Sequence, residues 1–198
     1  MKTRFGLLIL VCAAWLGGQA GARAADVDVG YTPSAPSQLT GWEVRAGAFA
    51  HGVGSREEGT VDLNAEILTP KLFTAPGFWN YLVPQFHVGG NLNLSGRTSA
   101  LYAGGLWRFP VPYLNRVFVE AFFDGAVHNG SREDAPGMNA LGCNPLFHVG
   151  GSVGYELSER WSLVGTFDHL SNGRRVFGTD CDRNVGVNSY GLRVGYRF

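Results

Sequence analysis

Long hydrophobic runs are missing from the chain after its first 24 residues. A membrane-spanning helix needs about 20 consecutive apolar residues, so this absence excludes helical membrane spans from that part of the sequence. An excess of positive charge is also missing, because 16 lysines and arginines match 16 aspartates and glutamates. Without a basic patch, nucleic acid is not expected as a partner.

Residues 1–24 have the pattern of a secretory signal peptide. Lys2 and Arg4 precede a short apolar run, and small residues around Ala24 provide a cleavage site. We therefore expect an exported mature chain that begins after this site. Residues 25–40, which are rich in proline and serine, are expected to form a loose lead-in to a single domain.

Alternation of apolar and polar residues is the main pattern of residues 41–198. In the last segment, Tyr190, Leu192 and Val194 alternate with glycine and arginine, and an aromatic residue ends the chain. Eight segments of roughly ten residues alternate in this way. They cover residues 41–51, 58–69, 82–95, 98–109, 115–128, 145–157, 160–171 and 186–198.

Eight strands with one apolar and one polar face are typical of a barrel that crosses the outer membrane. The signal peptide and the aromatic C-terminal residue favour the same class. We predict an all-β fold, an eight-stranded antiparallel transmembrane β-barrel of residues 41–198, in the outer membrane of a Gram-negative cell. A soluble two-sheet sandwich with one solvated face also alternates, and it is the alternative.

Charged and polar side chains occupy the inward rows of the predicted strands. An eight-stranded barrel is just wide enough for its own side chains, and unpaired buried charge is costly. We therefore expect a filled interior and no pore. His87 and His148 are expected to be core residues, because no metal-ligand spacing surrounds them. The inward residues are Glu43, Arg45, Asp62, Glu66, His87, Asn91, Glu120, Asp124, His148, Arg193 and Arg197.

The connections between the predicted strands alternate between long and short. Residues 158–160 form a tight turn, whereas the fifth–sixth and seventh–eighth connections are long, as expected of periplasmic turns and outer loops. The connection at residues 70–81 is long on the short-turn side, and it is predicted to hold a helical turn at the membrane interface.

Two cysteines remain after the signal peptide, which contains Cys12. Cys143 and Cys181 fall in the two long outer loops, which flank neighbouring strands. In an oxidising location an even pair favours a disulfide, and the strand order allows one here. The alternative is two unrelated exposed cysteines.

Polar residues continue the apolar, lipid-facing row of the seventh strand. Counting by two from Trp161 through Phe167 reaches His169 and Ser171. A histidine beside a serine on one face is the arrangement of a base and a nucleophile. Asn188 shares the outward face of the paired last strand and is the candidate that orients the imidazole. An ordinary polar rim at a strand end is the alternative.

The turn after this strand supplies two further candidates. Asn172 follows the serine directly, and its N–H is the candidate donor to a developing oxyanion. Arg174 and Arg175 follow at the outer rim, where positive charge would suit the phosphate groups of a ligand. A solvated pair of loop residues is the alternative for the two arginines.

Two segments resemble the PagL-type lipid A 3-O-deacylases, which are eight-stranded outer-membrane esterases. Residues 169–173 read His-Leu-Ser-Asn-Gly, and residues 184–190 read Asn-Val-Gly-Val-Asn-Ser-Tyr. The resemblance implies that His169 is the base, that Ser171 is the nucleophile and that Asn172 belongs to the oxyanion hole.

The sequence departs from the family at one catalytic residue. The family has a serine, a histidine and an acidic residue that orients the histidine. The family's glutamate falls at Asn188, whose amide can accept the imidazole N–H but cannot stabilise an imidazolium by charge. Slower chemistry is one expectation from this change. A substitute carboxylate from Asp180 or Asp182 in the adjoining loop is the other.

The leading hypothesis is a cofactor-free serine esterase that removes the ester-linked 3-hydroxyacyl chain at the 3-position of lipid A. The alternative is a non-catalytic structural or adhesive barrel with a decayed site. An acyltransferase or phospholipase is a third hypothesis, but the crowded inward rows argue against a lumenal acyl pocket. The sequence leaves open whether the protein forms a homodimer.

Overall fold

A computed structural model of the protein describes residues 41–174, 178 and 181–198. The expected signal peptide at residues 1–24 and the lead-in at residues 25–40 lie outside the described residues. Two further residues that the sequence singled out, Arg175 and Asp180, also lie outside them.

The described residues form a closed antiparallel barrel of eight strands with a short helix in one connection. Each strand pairs with its neighbour in the chain, and the first strand pairs with the last to close the barrel. The elements are β1 (Glu43–His51), β2 (Thr60–Leu68), α1 (Trp79–Leu82), β3 (Gln85–Asn93), β4 (Ala100–Pro110), β5 (Val117–His128), β6 (Leu146–Glu156), β7 (Trp161–Ser171) and β8 (Val187–Arg197).

The structure confirms the predicted barrel and excludes the two-sheet sandwich, because β1 and β8 pair along almost their whole length. Every strand begins and ends within three residues of its predicted bounds. Inward and outward side chains alternate in burial along each strand, as along β2, because successive side chains point to opposite faces.

The two ends of the barrel differ in the length of their connections. Residues 129–145 separate β5 from β6 and residues 172–186 separate β7 from β8 at one end, whereas residues 157–160 form a tight turn at the other. Long loops face outward in barrels of this class, so the β5–β6 and β7–β8 loops mark the outer end. The predicted helical turn is confirmed as α1. Within the described part of the chain, no helix has the length and hydrophobicity to cross a membrane.

An ionic cluster fills the half of the barrel that lies near the short turns. The side chain of Arg45 has no exposed surface, and it binds the carboxylates of Glu43, Glu66 and Glu120 at 2.7, 3.1 and 2.8 Å. Arg108 binds Glu120 at 2.7 Å from the other side. Each buried charge is thereby paired, which offsets the cost of removing it from water.

A second cluster, built on histidines, lies closer to the outer end. Asp124 accepts hydrogen bonds from His87 and His148, each at 2.7 Å. The ring of His148 stacks on Tyr102, with ring centroids 4.1 Å apart. The structure confirms the filled interior and the core positions of both histidines.

Candidate active site

The outer face of β7 carries the predicted base and nucleophile. Asp168 and Leu170 point inward and are buried, whereas Phe167 points outward and is exposed. His169 and Ser171 continue the outward row and are half-buried. Trp161 lies eight residues earlier on the same row, about 26 Å along the strand at ~3.3 Å per residue. The row therefore spans most of an apolar band that is ~25 Å tall and brings His169 to its outer edge.

Asn188 lies directly opposite His169 in the β7–β8 ladder. Nδ1 of His169 is 2.6 Å from Oδ1 of Asn188. Because an amide oxygen is an acceptor, Nδ1 carries the proton and Nε2 keeps its lone pair. A base needs this tautomer. The structure thus brings together two of the predicted site residues, and the partner of the imidazole is Asn188 and not the carboxylate of Asp182.

Ser171 is the last residue of β7 and pairs with Phe147 of β6. Both Ser171 and His169 are described, and no hydrogen bond joins them in this conformation. Catalytic hydrogen bonds are often long before substrate binds, so this geometry is compatible with a nucleophile and its base. Gly173 follows closely with a φ of 68°, a conformation that glycine adopts without strain, and it turns the chain out of the strand.

Asn172 is buried, and its polar atoms are engaged within the protein. Its side-chain amide donates to the backbone oxygens of Leu141 and Arg183. Its backbone N–H donates to Oδ1 of Asn184 over 3.3 Å, a long hydrogen bond. The side-chain amide is therefore committed to holding two loops together. The backbone N–H is the group of Asn172 that a substrate oxygen could take over.

The outer rim beside the site is held by a disulfide. Cys143 and Cys181 are bonded, with Cα atoms 5.7 Å apart, so the predicted bridge is present between the β5–β6 and β7–β8 loops. Arg174 is exposed, and its guanidinium donates to the backbone oxygen of Asp182 at 2.6 Å. Arg175, the other arginine predicted to bind phosphate, lies outside the described part of the chain.

Gly186, for which the sequence predicted no role, lies close to the imidazole. A Cβ atom on Gly186 would lie 2.7 Å from Cε1 and 3.3 Å from Nε2 of His169. The spacing of Gly186 and Asn188 in the sequence could have predicted this position. Gly186 is two residues before Asn188, so it lies on the same outward face, next to the strand that carries the histidine.

A transmembrane barrel with a histidine, a serine and an asparagine at the outer edge of its apolar surface defines a class, the outer-membrane barrel hydrolases. The family model described as "Lipid A 3-O-deacylase (PagL)" matches residues 60–197. The chain therefore belongs to the PagL family of lipid A 3-O-deacylases. It is an outer-membrane enzyme of the carboxylic ester hydrolase type.

Comparison with solved structures supports the fold. The crystal structure of the outer membrane enzyme PagL superposes with a TM-score of 0.54 at 17% identity, covering 79% of this chain and 99% of that one. A de novo designed transmembrane β-barrel matches with 0.50 at 13% identity, covering 80% and 95%. The N-terminal barrel of Pseudomonas aeruginosa OprF matches with 0.50 at 12%, covering 81% and 98%. The comparison with curated protein sequences finds no match.

Proposed function

We propose that this protein hydrolyses the ester that links a 3-hydroxyacyl chain to the 3-position of lipid A, with Ser171 as nucleophile and His169 as base. The observation that carries the proposal is the 2.6 Å hydrogen bond from His169 to Asn188 on the outer barrel surface. It holds the imidazole with Nε2 free, on the row that ends at Ser171. Lipid in the outer leaflet reaches this face without entering the filled interior.

The reaction follows the logic of a serine esterase. Nε2 of His169 takes the proton of the Ser171 hydroxyl as the oxygen attacks the acyl carbonyl. The tetrahedral intermediate collapses, the bond to the sugar oxygen breaks, and the imidazolium returns its proton to that oxygen. Water then attacks the acyl-enzyme as His169 takes its proton. The bond to Ser171 breaks, the imidazolium returns the proton to the serine oxygen, and the free 3-hydroxy acid leaves.

Asn188 stands where a carboxylate would stabilise the imidazolium of both steps. Its amide oxygen still holds the tautomer and the orientation of the ring, as the asparagine of Cys-His-Asn proteases does. The charge contribution is absent, so the proposed enzyme is slower than one with an acid at this position.

The backbone N–H of Asn172 is the proposed oxyanion donor. It lies one residue after the nucleophile, and its present acceptor, Asn184 Oδ1, is 3.3 Å away. A carbonyl oxygen that gains full negative charge in the transition state is a stronger acceptor than an amide oxygen. We propose that the substrate displaces Asn184 from this N–H.

Apolar and charged surfaces beside the site suit the two parts of the substrate. Phe167 and Tyr190 form an outward aromatic pair directly below the His169–Asn188 pair, with ring centroids 5.0 Å apart. We propose that the acyl chain lies on this pair, and that Arg174 and Arg175 bind lipid A phosphates at the rim. Lipid A is the proposed partner.

Replacement of the nucleophile tests the proposal. Ser171→Ala should abolish release of 3-hydroxy fatty acid, because no other hydroxyl then accepts the acyl group. The measurement is mass spectrometry of lipid A from cells that express each variant. Ser158→Ala, in a turn at the opposite end, is the matched control and should act as wild type. Unchanged deacylation in Ser171→Ala would exclude serine catalysis, and identical lipid A with and without the wild-type protein would favour the non-catalytic barrel.

A further inference from the structure

Glu57, in the loop between β1 and β2, has a buried carboxylate that joins several outer elements. Its Oε1 accepts hydrogen bonds from the backbone N–H of Asn139 at 2.8 Å and from the hydroxyl of Thr98 at 2.9 Å. Its Oε2 accepts from the backbone N–H of Thr98 at 2.8 Å and from His51 at 2.9 Å. An acceptor-only group with four donors is a fixed anchor.

The pKa of Glu57 follows from this environment. Burial alone would raise it, but the hydrogen bonds from His51, Asn139 and Thr98 outweigh burial and lower the pKa of Glu57 to about 2. The carboxylate is therefore charged at neutral pH, and its hydrogen bonds to the loops are charge-assisted.

Asn139–Leu141, a segment of the β5–β6 loop, joins this anchor to the active site. Asn139, Ala140 and Leu141 are almost completely buried. The side-chain amide of Asn139 donates to the backbone oxygen of Gly186 at 2.9 Å. The backbone oxygen of Ala140 accepts from Val185 at 3.0 Å. The segment thus fixes the chain just before β8.

Gly186, which Asn139 holds in place, lies next to the imidazole of the proposed base. A methyl group added to Gly186 would lie 2.7 Å from Cε1 of His169, so only a glycine leaves room for the imidazole here. The ring is therefore held by the side chain of Asn188 at Nδ1, and the backbone of Gly186 limits the space beside Cε1 and Nε2. A shift of Gly186 would let the Nε2 edge move relative to Ser171.

We propose that Asn139, anchored by Glu57, is a positioning residue for the base of the deacylation reaction. It acts through Gly186, and it does not touch the reacting atoms. The inference rests on the proposed function, because it needs His169 to be the base. A shift of the order of 1 Å in a reacting group can cost about 10²-fold in rate.

The test uses two substitutions that leave the anchor in place, because Glu57 binds the backbone of Asn139. Asn139→Asp keeps the shape but sets an oxygen against the carbonyl of Gly186, and Asn139→Ala removes the contact. Each should lower kcat by roughly 10- to 10²-fold with little change in KM, since a misplaced base weakens the transition state and not lipid binding. Asn129→Asp, in the same loop, is the control, because the oxygen that accepts from Ser99 is retained.

A fluorophosphonate probe separates positioning from folding. Ser171 displaces fluoride from the probe's phosphorus as His169 takes the serine proton, so the labelling rate reports the geometry of this pair. The final labelled fraction reports how much of the protein is folded. We expect slower labelling to the same final fraction in the Asn139 variants.

Two results would overturn the inference. One is wild-type kcat and labelling rate in both Asn139 variants, and the other is a lower final fraction at an unchanged rate, which marks a structural role. Both are read together with Ser171→Ala. An inactive and unlabelled Ser171→Ala keeps the proposed function while the positioning role fails, whereas an active Ser171→Ala overturns the proposed function itself.

Discussion

Histidines lie both inside and outside this barrel, and their surroundings differ. His87 and His148 share the carboxylate of Asp124 in a closed interior, where no substrate arrives. His169 faces the membrane, is half-buried, and has a neutral amide as its partner. The comparison teaches that a strong ionic partner marks structural histidines here, whereas a neutral partner and a place on the outward row of Ser171 mark the proposed catalytic one.

The largest expected effects come from removing one outer and one inner histidine in turn. His169→Ala should lower kcat by roughly 10⁴-fold, because the serine loses its base, while the barrel stays folded. His87→Ala should do the reverse. It leaves the buried carboxylate of Asp124 with one histidine fewer and costs about 3–5 kcal/mol of stability. Fatty-acid release per folded molecule and urea unfolding in detergent micelles measure the two effects. Equal activity losses in both variants would break the comparison.

A smaller effect is expected from crowding the outer histidine. Gly186→Ala places a methyl 2.7 Å from His169 Cε1, so the ring must move, and kcat should fall by about 10²-fold. Gly165→Ala is the matched control, because Gly165 lies on the outward row of β7 and its added Cβ meets nothing closer than 3.8 Å. Initial rates of fatty-acid release measure both. Wild-type activity in Gly186→Ala would show that the ring position is not limiting.

The smallest effect sharpens the comparison by giving the outer histidine an ionic partner. Asn188→Glu should raise kcat by about tenfold, equivalent to ~1.4 kcal/mol, because a carboxylate stabilises the imidazolium by charge. Asn188→Gln, which has the same length and no charge, is the control. Steady-state rates on purified lipopolysaccharide measure the change. An equal or lower rate in Asn188→Glu would mean that the neutral amide is part of how this enzyme works.

Much of the barrel could be predicted because its signals are local. Alternation with a period of two set the strand positions within three residues and assigned Arg45, His87 and His148 to the interior. The same parity placed His169, Ser171 and Asn188 outward. Strand order then brought Asn188 to the strand next to His169 and the two cysteines to neighbouring loops, and the β7–β8 register set Asn188 opposite the histidine.

The loops around the site could not be predicted in this way, because they have no period. Asn172 follows Ser171 in the sequence, yet its amide turns to Leu141, 31 residues away, instead of toward the site. Gly186 was visible as part of a motif, but its contact with the imidazole depends on how the loop enters β8.

By itself, the amino-acid sequence determined the number of strands, the face of each residue and the pair of strands that carries the candidate site, because side-chain alternation is a property of the local backbone. The tertiary structure alone decided what supports that site. Glu57, Asn139 and Gly186 meet across separations of 82 and 47 residues. Such contacts exist because closing the barrel brings its outer loops together at one end, where buried polar groups must find partners.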